Sequence, residues 1–317
     1  FNFLKNKEDG TPDTNWNTAI ANTAFRKAWY YGLDLKEYYK RTNPITPMVC
    51  ENNFYTMKGL VYNSKGTEYT ELVRQQLGLP EQNGENMARL DKAKFEEYKK
   101  QAMDELTALG VTFPVEVDHY ISASSQTALD SANVLKQAMS NTLGDDFVKL
   151  NIKTYVSSLN KEVITPKLQS IALNGWGADY GDPQNYLGQE TYGSDNAYYS
   201  GHYSNINFIT EETPATKDLL AEYKEYTKLV EEADAITTDL DARYDAYAKA
   251  EAYMLDNVLI LPLNYSIGWS LSKVDVTSRM DAMFGIQNEK IKNWRTNKDG
   301  YTTEQAEKLE AEYEAGK

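Results

Sequence analysis

The residues best suited to chemistry lie in one run, Gly175-Trp176-Gly177-Ala178-Asp179-Tyr180-Gly181-Asp182-Pro183. Asp179 stands between two aromatics, Trp176 and Tyr180, just after an apolar stretch that reads as a buried strand. Ligands of α/β domains settle in the crevice at the carboxyl ends of strands. An acid there, walled by aromatics, suits a cationic group. Asp also stabilises turns through its own backbone, and spacing alone leaves both readings open. Gly175 and Gly177 suit a close backbone approach. Asp182-Pro183 has an ordinary explanation: Asp caps a helix and Pro takes its first turn.

Other reactive side chains are few. His119 and His202 are far apart in the chain, with neither His-Glu-x-x-His nor Cys-x-x-Cys, so a zinc site has little support. Both histidines read as structural. There is no Gly-x-Ser-x-Gly elbow, no phosphate loop and no dinucleotide fingerprint. No cofactor or metal is expected. An enzyme is not thereby excluded, because triads are set by geometry. Cys50 is the single cysteine and reads as a small buried apolar residue. One cysteine suggests the cytoplasm or a Gram-positive exterior where disulfides are seldom used. The net charge of -14, with no run of Lys and Arg, argues against nucleic acid as a partner. No apolar run reaches the roughly 18–20 residues of a membrane span. The chain opens at Phe1-Asn2-Phe3 without a signal peptide or an initiator Met and reads as a processed or trimmed piece.

The elements that must position these residues follow from periodicity. Residues 1–18 are polar and read as a linker. A helix is predicted over 19–31, ended by Gly32 as a left-handed cap, and a short one over 35–41. Residues 42–90, rich in Gly and Pro, read as a long irregular region. Asp91 caps a helix to Leu109, with Phe95, Tyr98, Ala102 and Leu106 on one face. A strand over 113–120, a helix over 127–143 and a strand over 148–155 form a βαβ unit, so the two strands are expected to be parallel. A helix over 159–168, a buried strand over 171–176, long helices over 214–232 and 239–256, strands over 259–265 and 267–272 and a charged terminal helix over 302–315 complete the reading.

Three blocks together resemble the extracellular oligopeptide-binding proteins of ABC importers, the family 5 solute-binding lipoproteins of streptococcal type. Trp176-x-Ala178-Asp179-Tyr180-x-Asp182-Pro183 is similar to the family's signature. Arg26-Lys27-Ala28-Trp29-Tyr30-Tyr31-Gly32-Leu33-Asp34 is similar to its Arg-x-Ala helix and aromatic turn. Arg243 to Glu251, followed by Val258-Leu259-Ile260-Leu261-Pro262-Leu263, resembles its late helix and strand. The likeness covers about residues 19–296. It implies an α/β fold of the periplasmic-binding-protein type (type II, peptide-binding class). The chain would be the carboxy-terminal lobe, residues 19–261, with a segment 262–296 returning to an amino-terminal lobe and a charged tail over 297–317.

By that resemblance, Asp179 pairs with the α-ammonium of a peptide. The strand from Asn174 through Gly175 to Gly177 pairs with the peptide main chain, and Trp176 and Tyr180 wall the ligand. The implied partners are oligopeptides, the membrane subunits of an ABC importer and the missing amino-terminal lobe. The implied location is the cell surface, with the parent lipid-anchored through an amino-terminal cysteine absent here. Two other readings are a binder of another small solute on the same fold and a surface protein-interaction module. A hydrolase is the least favoured.

Overall fold

The computed structural model describes residues 1–80, 88–194, 197–265, 273–275, 278, 294–296 and 298–315. Its centre is the parallel pair β1 (Val115–Ser122) and β2 (Val148–Tyr155), in register from Val115 opposite Val148 to Ser122 opposite Tyr155. The helix α6 (Gln126–Leu143) crosses between them. Ser125 caps it by accepting the Ala128 N–H at 3.2 Å, and Gly144 leaves it at φ +92°. Ala132, Leu135 and Met139 are buried at a spacing of three and four, so this face packs on the strands. The βαβ unit is as the sequence predicts.

Around it lie α1 (Thr14–Ala21), α2 (Thr23–Gly32), α3 (Lys36–Tyr39), α4 (Tyr69–Leu77) and α5 (Lys92–Ala108). The helix predicted over 19–31 is two helices. The break is Asn22, whose Oδ1 accepts the Phe25 N–H at 2.8 Å. The buried Arg26 then takes the last carbonyls of α1, Ile20 O at 2.9 Å and Ala21 O at 2.8 Å. Apolar periodicity runs through this joint and cannot reveal it; the capping chemistry can. Residues 1–18 also differ from a linker. Asn2, Phe3, Lys5 and Trp16 are buried, and Asn2 Nδ2 donates to Gln169 O at 2.8 Å. The α4 helix lies within the stretch read as irregular, because its nine residues bury only Tyr69, Thr70 and Val73.

Gly32 is not a left-handed cap. It ends α2 against α5, where an added Cβ would lie 2.3 Å from Phe95 Cδ2 and 2.9 Å from Phe95 Cγ. Gly32→Ala gains about 1 kcal/mol of helix propensity, but it must displace a buried ring, which costs about 1–3 kcal/mol. A net loss of stability in urea unfolding is expected, partly restored by adding Phe95→Leu.

The carboxy-terminal half holds α7 (Gln184–Leu187), α8 (Tyr198–His202), α9 (Lys217–Asp234) and α10 (Leu240–Asp256). Asp239 caps α10, accepting the Ala242 N–H at 3.0 Å. Tyr223, Tyr226, Val230 and Ala233 of α9 and Tyr244, Tyr247, Ala248, Met254 and Leu255 of α10 are buried in the common core. The exposed α11 (Thr303–Ala315) is the charged terminal helix.

Three predicted elements differ. The helix over 159–168 is a π-helical turn at Asn160–Ile164. The strand over 171–176 is reduced to one parallel bridge, His119 to Ile171; past it the chain parts from β1, so no ladder forms. The strand over 259–265 is likewise reduced to a bridge between Glu51 and Asn264 and a bond from Tyr265 N to Cys50 O at 2.8 Å. The strand expected over 267–272 falls outside the described residues, as does most of the segment 262–296.

Candidate functional site

The run from Ala172 to Pro183 leaves the sheet where Ile171 parts from His119. It carries no ladder, yet it is tied down from four sides. Asn185, buried at the start of α7, holds the middle: its Oδ1 accepts Trp176 Nε1–H and the Asp179 N–H, each at 2.9 Å. Its Nδ2 faces Asp179 Oδ2 at 3.5 Å. Tyr199 OH donates to Gly175 O at 2.9 Å and Tyr186 OH to Trp176 O at 3.3 Å. Burial raises the pKa of both tyrosines, which keeps them neutral donors. The Trp176 ring packs edge-on against Tyr199 at 5.8 Å and beside Tyr198 at 6.2 Å.

Asp182 acts at the start of α7 and also beyond it. The N-cap of α7 is Pro183 and not Asp182, yet Asp182 Oδ1 accepts the Gln184 N–H of the first turn at 2.9 Å from one residue further out. The same carboxylate takes Arg243 of α10 in a two-point pair, Nε to Oδ2 at 2.9 Å and Nη2 to Oδ1 at 3.1 Å. The bonded carboxylate raises the Arg243 pKa further. Asp179 has no such cation: among the described residues its exposed carboxylate meets only the Asn185 amide.

These anchors leave one side of the run open. Among the described residues, no acceptor pairs with the backbone N–H of Leu173, Asn174, Trp176 or Gly177. A Cβ on Gly175 or Gly177 would meet nothing within 4 Å. Asn174, Gly175 and Trp176 form one wall of a cavity of about 670 Å³. The lining also includes Phe54 and Met57 and the segment Leu261 to Tyr265. Glu190 also lines it, and burial pushes its carboxyl up to about 7.

A second cleft of about 400 Å³ opens where β1 and β2 end, between Tyr155 and Ser131 of α6, and shares Tyr38, Leu135 and Leu173 with the first. The buried His119 faces it; burial lowers its pKa, and its Nδ1 has no partner among the described residues. The carboxyl-end crevice expected of an α/β domain is therefore present.

The structure brings together part of the predicted site. Asn174, Gly175 and Trp176 share the cavity wall, whereas Gly177, Asp179 and Tyr180 lie beyond it on the exposed face of the same loop. Tyr180 turns its hydroxyl to Gln184 Oε1. The main-chain pairing expected of Asn174 to Gly177 is with a peptide; on the protein side, the N–H groups of Asn174, Trp176 and Gly177 have no acceptor among the described residues, and the Gly175 N–H meets Asn174 Oδ1 at 2.9 Å. Sequence reasoning missed Asn185, Tyr186, Tyr199 and Arg243. Asn185 follows the motif by two residues, and Arg243 opens the late helix block, so both were in view without a geometric reason to join them. Cys50 is buried. His202 lies among aromatics, 5.0 Å from Tyr198 and 4.8 Å from Tyr203. Among the described residues no group of His, Cys, Asp and Glu is arranged to hold a metal ion, and no helix is long and apolar enough to cross a membrane.

No family model matches the chain. It is 28% identical over 288 residues to the oligopeptide-binding protein SarA of Streptococcus gordonii, covering 83% of this chain and 41% of that protein. It is 29% identical over 270 residues to the oligopeptide-binding protein AliA of Streptococcus pneumoniae serotype 4, covering 79% of this chain and 39% of that one. The chain thus spans about two fifths of the length of these curated relatives. Among solved structures, a peptide-binding protein of a peptide ABC transporter superposes with a TM-score of 0.56 at 20% identity, covering 82% of this chain and 95% of that chain. The substrate-binding domain of an oligopeptide ABC transporter of Bacillus anthracis gives 0.57 at 20% identity, covering 83% and 42%.

Proposed function

The chain has the periplasmic-binding-protein-like fold of these peptide-binding proteins, and we propose that it forms one side of a cleft that binds oligopeptides for delivery to an ABC importer. The observation that carries this is the open edge from Leu173 to Gly177, where the backbone N–H groups of Leu173, Asn174, Trp176 and Gly177 have no acceptor among the described residues and stand beside an aromatic wall, while the Gly175 N–H meets only the neighbouring Asn174 Oδ1 at 2.9 Å. Such an edge takes an extended peptide as an added strand. Main-chain pairing supplies affinity without reading side chains. Gly175 and Gly177 leave room for that approach. Asp179, at the end of the edge and without a cation of its own, receives the peptide ammonium. Trp176 and Tyr180 flank the ligand.

In this reading residues 19–261, together with residues 1–18 that pack into the same core, belong to one lobe and 262–296 run toward a second, amino-terminal lobe that supplies the other wall. The whole protein works outside the cell as a binding component and not as an enzyme. Its similarity to streptococcal proteins supports a Gram-positive cell surface, and a lipid anchor on the whole protein is part of the same proposal, implied by the sequence resemblance alone.

Calorimetric titration with a mixed pool of short peptides tests the reading, on this chain and on the full-length protein. Saturable binding by the full-length protein, much weakened in the isolated chain, is expected. Absence of binding by both moves the function to another solute or a protein partner.

A further inference from the structure

We infer that Arg243 is the positioning residue of the ligand-binding loop, acting through Asp182. The inference rests on the peptide-ammonium reading of Asp179 above and deepens it.

The guanidinium joins three separate elements. Its Nη1 donates to Ala233 O at 3.0 Å, Asp234 O at 3.1 Å and Ile236 O at 3.0 Å, the carbonyls that end α9. A cation belongs at such a terminus, where unpaired carbonyls concentrate negative charge. Its Nη2 donates to Tyr247 OH at 2.9 Å, one turn along α10. Nη2 also lies 3.5 Å from Asp234 Oδ1, and Nε and Nη2 form the two-point pair with Asp182, the shorter of its carboxylate contacts. The site loop is thus tied to the junction of the two longest helices of the carboxy-terminal half. A fork of donors in one plane can hold that geometry, whereas a single ammonium cannot reach all three elements.

The pair has two consequences for the site. Asp182 is the point from which the chain turns into α7, and α7 presents Asn185, the clamp on both Trp176 and Asp179. Fixing Asp182 therefore fixes Asn185 and the direction of the Asp179 carboxylate. The second consequence is electrostatic. Two carboxylates stand three residues apart, and Arg243 neutralises only one. Asp179 is left as the single carboxylate of the pair without a cation among the described residues.

The test compares Asp182→Asn and Arg243→Lys with the unsubstituted full-length protein. Asp182→Asn keeps an oxygen for the Gln184 N–H, removes the charge and sets an amide NH2 donor against Arg243 Nε, so it breaks the two-point pair while preserving the side-chain size. Each variant is titrated with a short peptide bearing a free amino terminus and with its N-acetylated form, and its unfolding midpoint is measured. About a tenfold weaker affinity for the free-amino peptide is expected from either change, with the acetylated form within about twofold, and the double variant should be no worse than the worse single one. A lowered midpoint with equal weakening of both peptides would reduce Arg243 to a structural tie and overturn the inference. An unchanged preference would do the same. Should Arg243→Lys fail to fold, Asp182→Asn decides alone. If the unsubstituted protein binds peptides but does not prefer the free amino terminus, the ammonium reading itself fails, and this inference with it.

Discussion

Asp179→Ala in the full-length protein is expected to weaken binding of peptides with a free amino terminus by about 10- to 100-fold and to leave N-acetylated peptides unaffected. The magnitude follows from the kind of contact. A hydrogen bond to a charged group contributes about 1.5–3 kcal/mol when shielded from water, and 1.4 kcal/mol is a factor of about ten in Kd. An ion pair left in water would give only about 0–1 kcal/mol. The size of the effect therefore reports whether the cleft closes over the ammonium. Asp179 is exposed in this chain, and among the described residues its carboxylate meets only Asn185 Nδ2, at 3.5 Å. Desolvation must come from the ligand and from the opposite wall. Calorimetry with paired free and acetylated peptides distinguishes the cases. Equal weakening of both forms would place the ammonium elsewhere. A loss of less than about fivefold would mean a contact open to solvent.

How much of this was legible beforehand depends on what kind of interaction sets each feature. The βαβ unit was readable because Val115, Val117, Leu135, Met139, Val148 and Leu150 repeat with the periods of strand and helix. The motif around Asp179 was readable because its residue types are unusual at that spacing. The joint at Asn22 was not, since the apolar stripe continues from Ile20 to Phe25 across it. The edge at 171–176 looked like a strand because its composition is that of one. Composition reports a preference for extended backbone, but a ladder needs a neighbour, and here the chain parts from β1 after the single bridge of Ile171 to His119 although β1 itself runs on to Ser122. The contacts that build the site join residues far apart in the chain. Arg243 reaches Asp182 across 61 residues, and Arg26 Nε reaches Asn257 O at 3.2 Å across 231. The first bond joins two of the sequence blocks that carried the resemblance, and the second ties the Arg26 block to Asn257, which lies between the late helix and Val258. Each block was visible on its own, while the reason they occur together appears only when the chain is folded.

Glu251→Ala is expected to remove about 3–5 kcal/mol of stability, more than any other single change considered above. Glu251 is fully buried on α10 and no salt bridge reaches it among the described residues. Its Oε1 accepts the N–H of Tyr55 at 2.8 Å and of Thr56 at 3.1 Å, and its Oε2 accepts Thr56 Oγ1 at 2.6 Å. Removing the side chain leaves two buried donors of Thr56 and the half-buried Tyr55 N–H unaccepted and opens a void one turn from Tyr247 and Met254 on the helix. It also releases the segment that carries Phe54 and Met57, part of the lining of the cavity. Peptide binding should therefore fall along with stability. Burial raises the pKa of this carboxyl above its ordinary value of 4.5. The folded protein then holds the proton more tightly than the unfolded chain. The resulting stabilisation is complete below the unfolded pKa and is lost as pH rises through the folded one. Glu251→Gln keeps an acceptor for the two N–H groups and cannot titrate. Urea unfolding of both proteins between about pH 5 and pH 8 should show the glutamine variant gaining on the parent as pH rises. A difference that stays constant across that range would mean that Glu251 holds the same proton occupancy folded and unfolded, and that its burial is offset in full by the three donors around it.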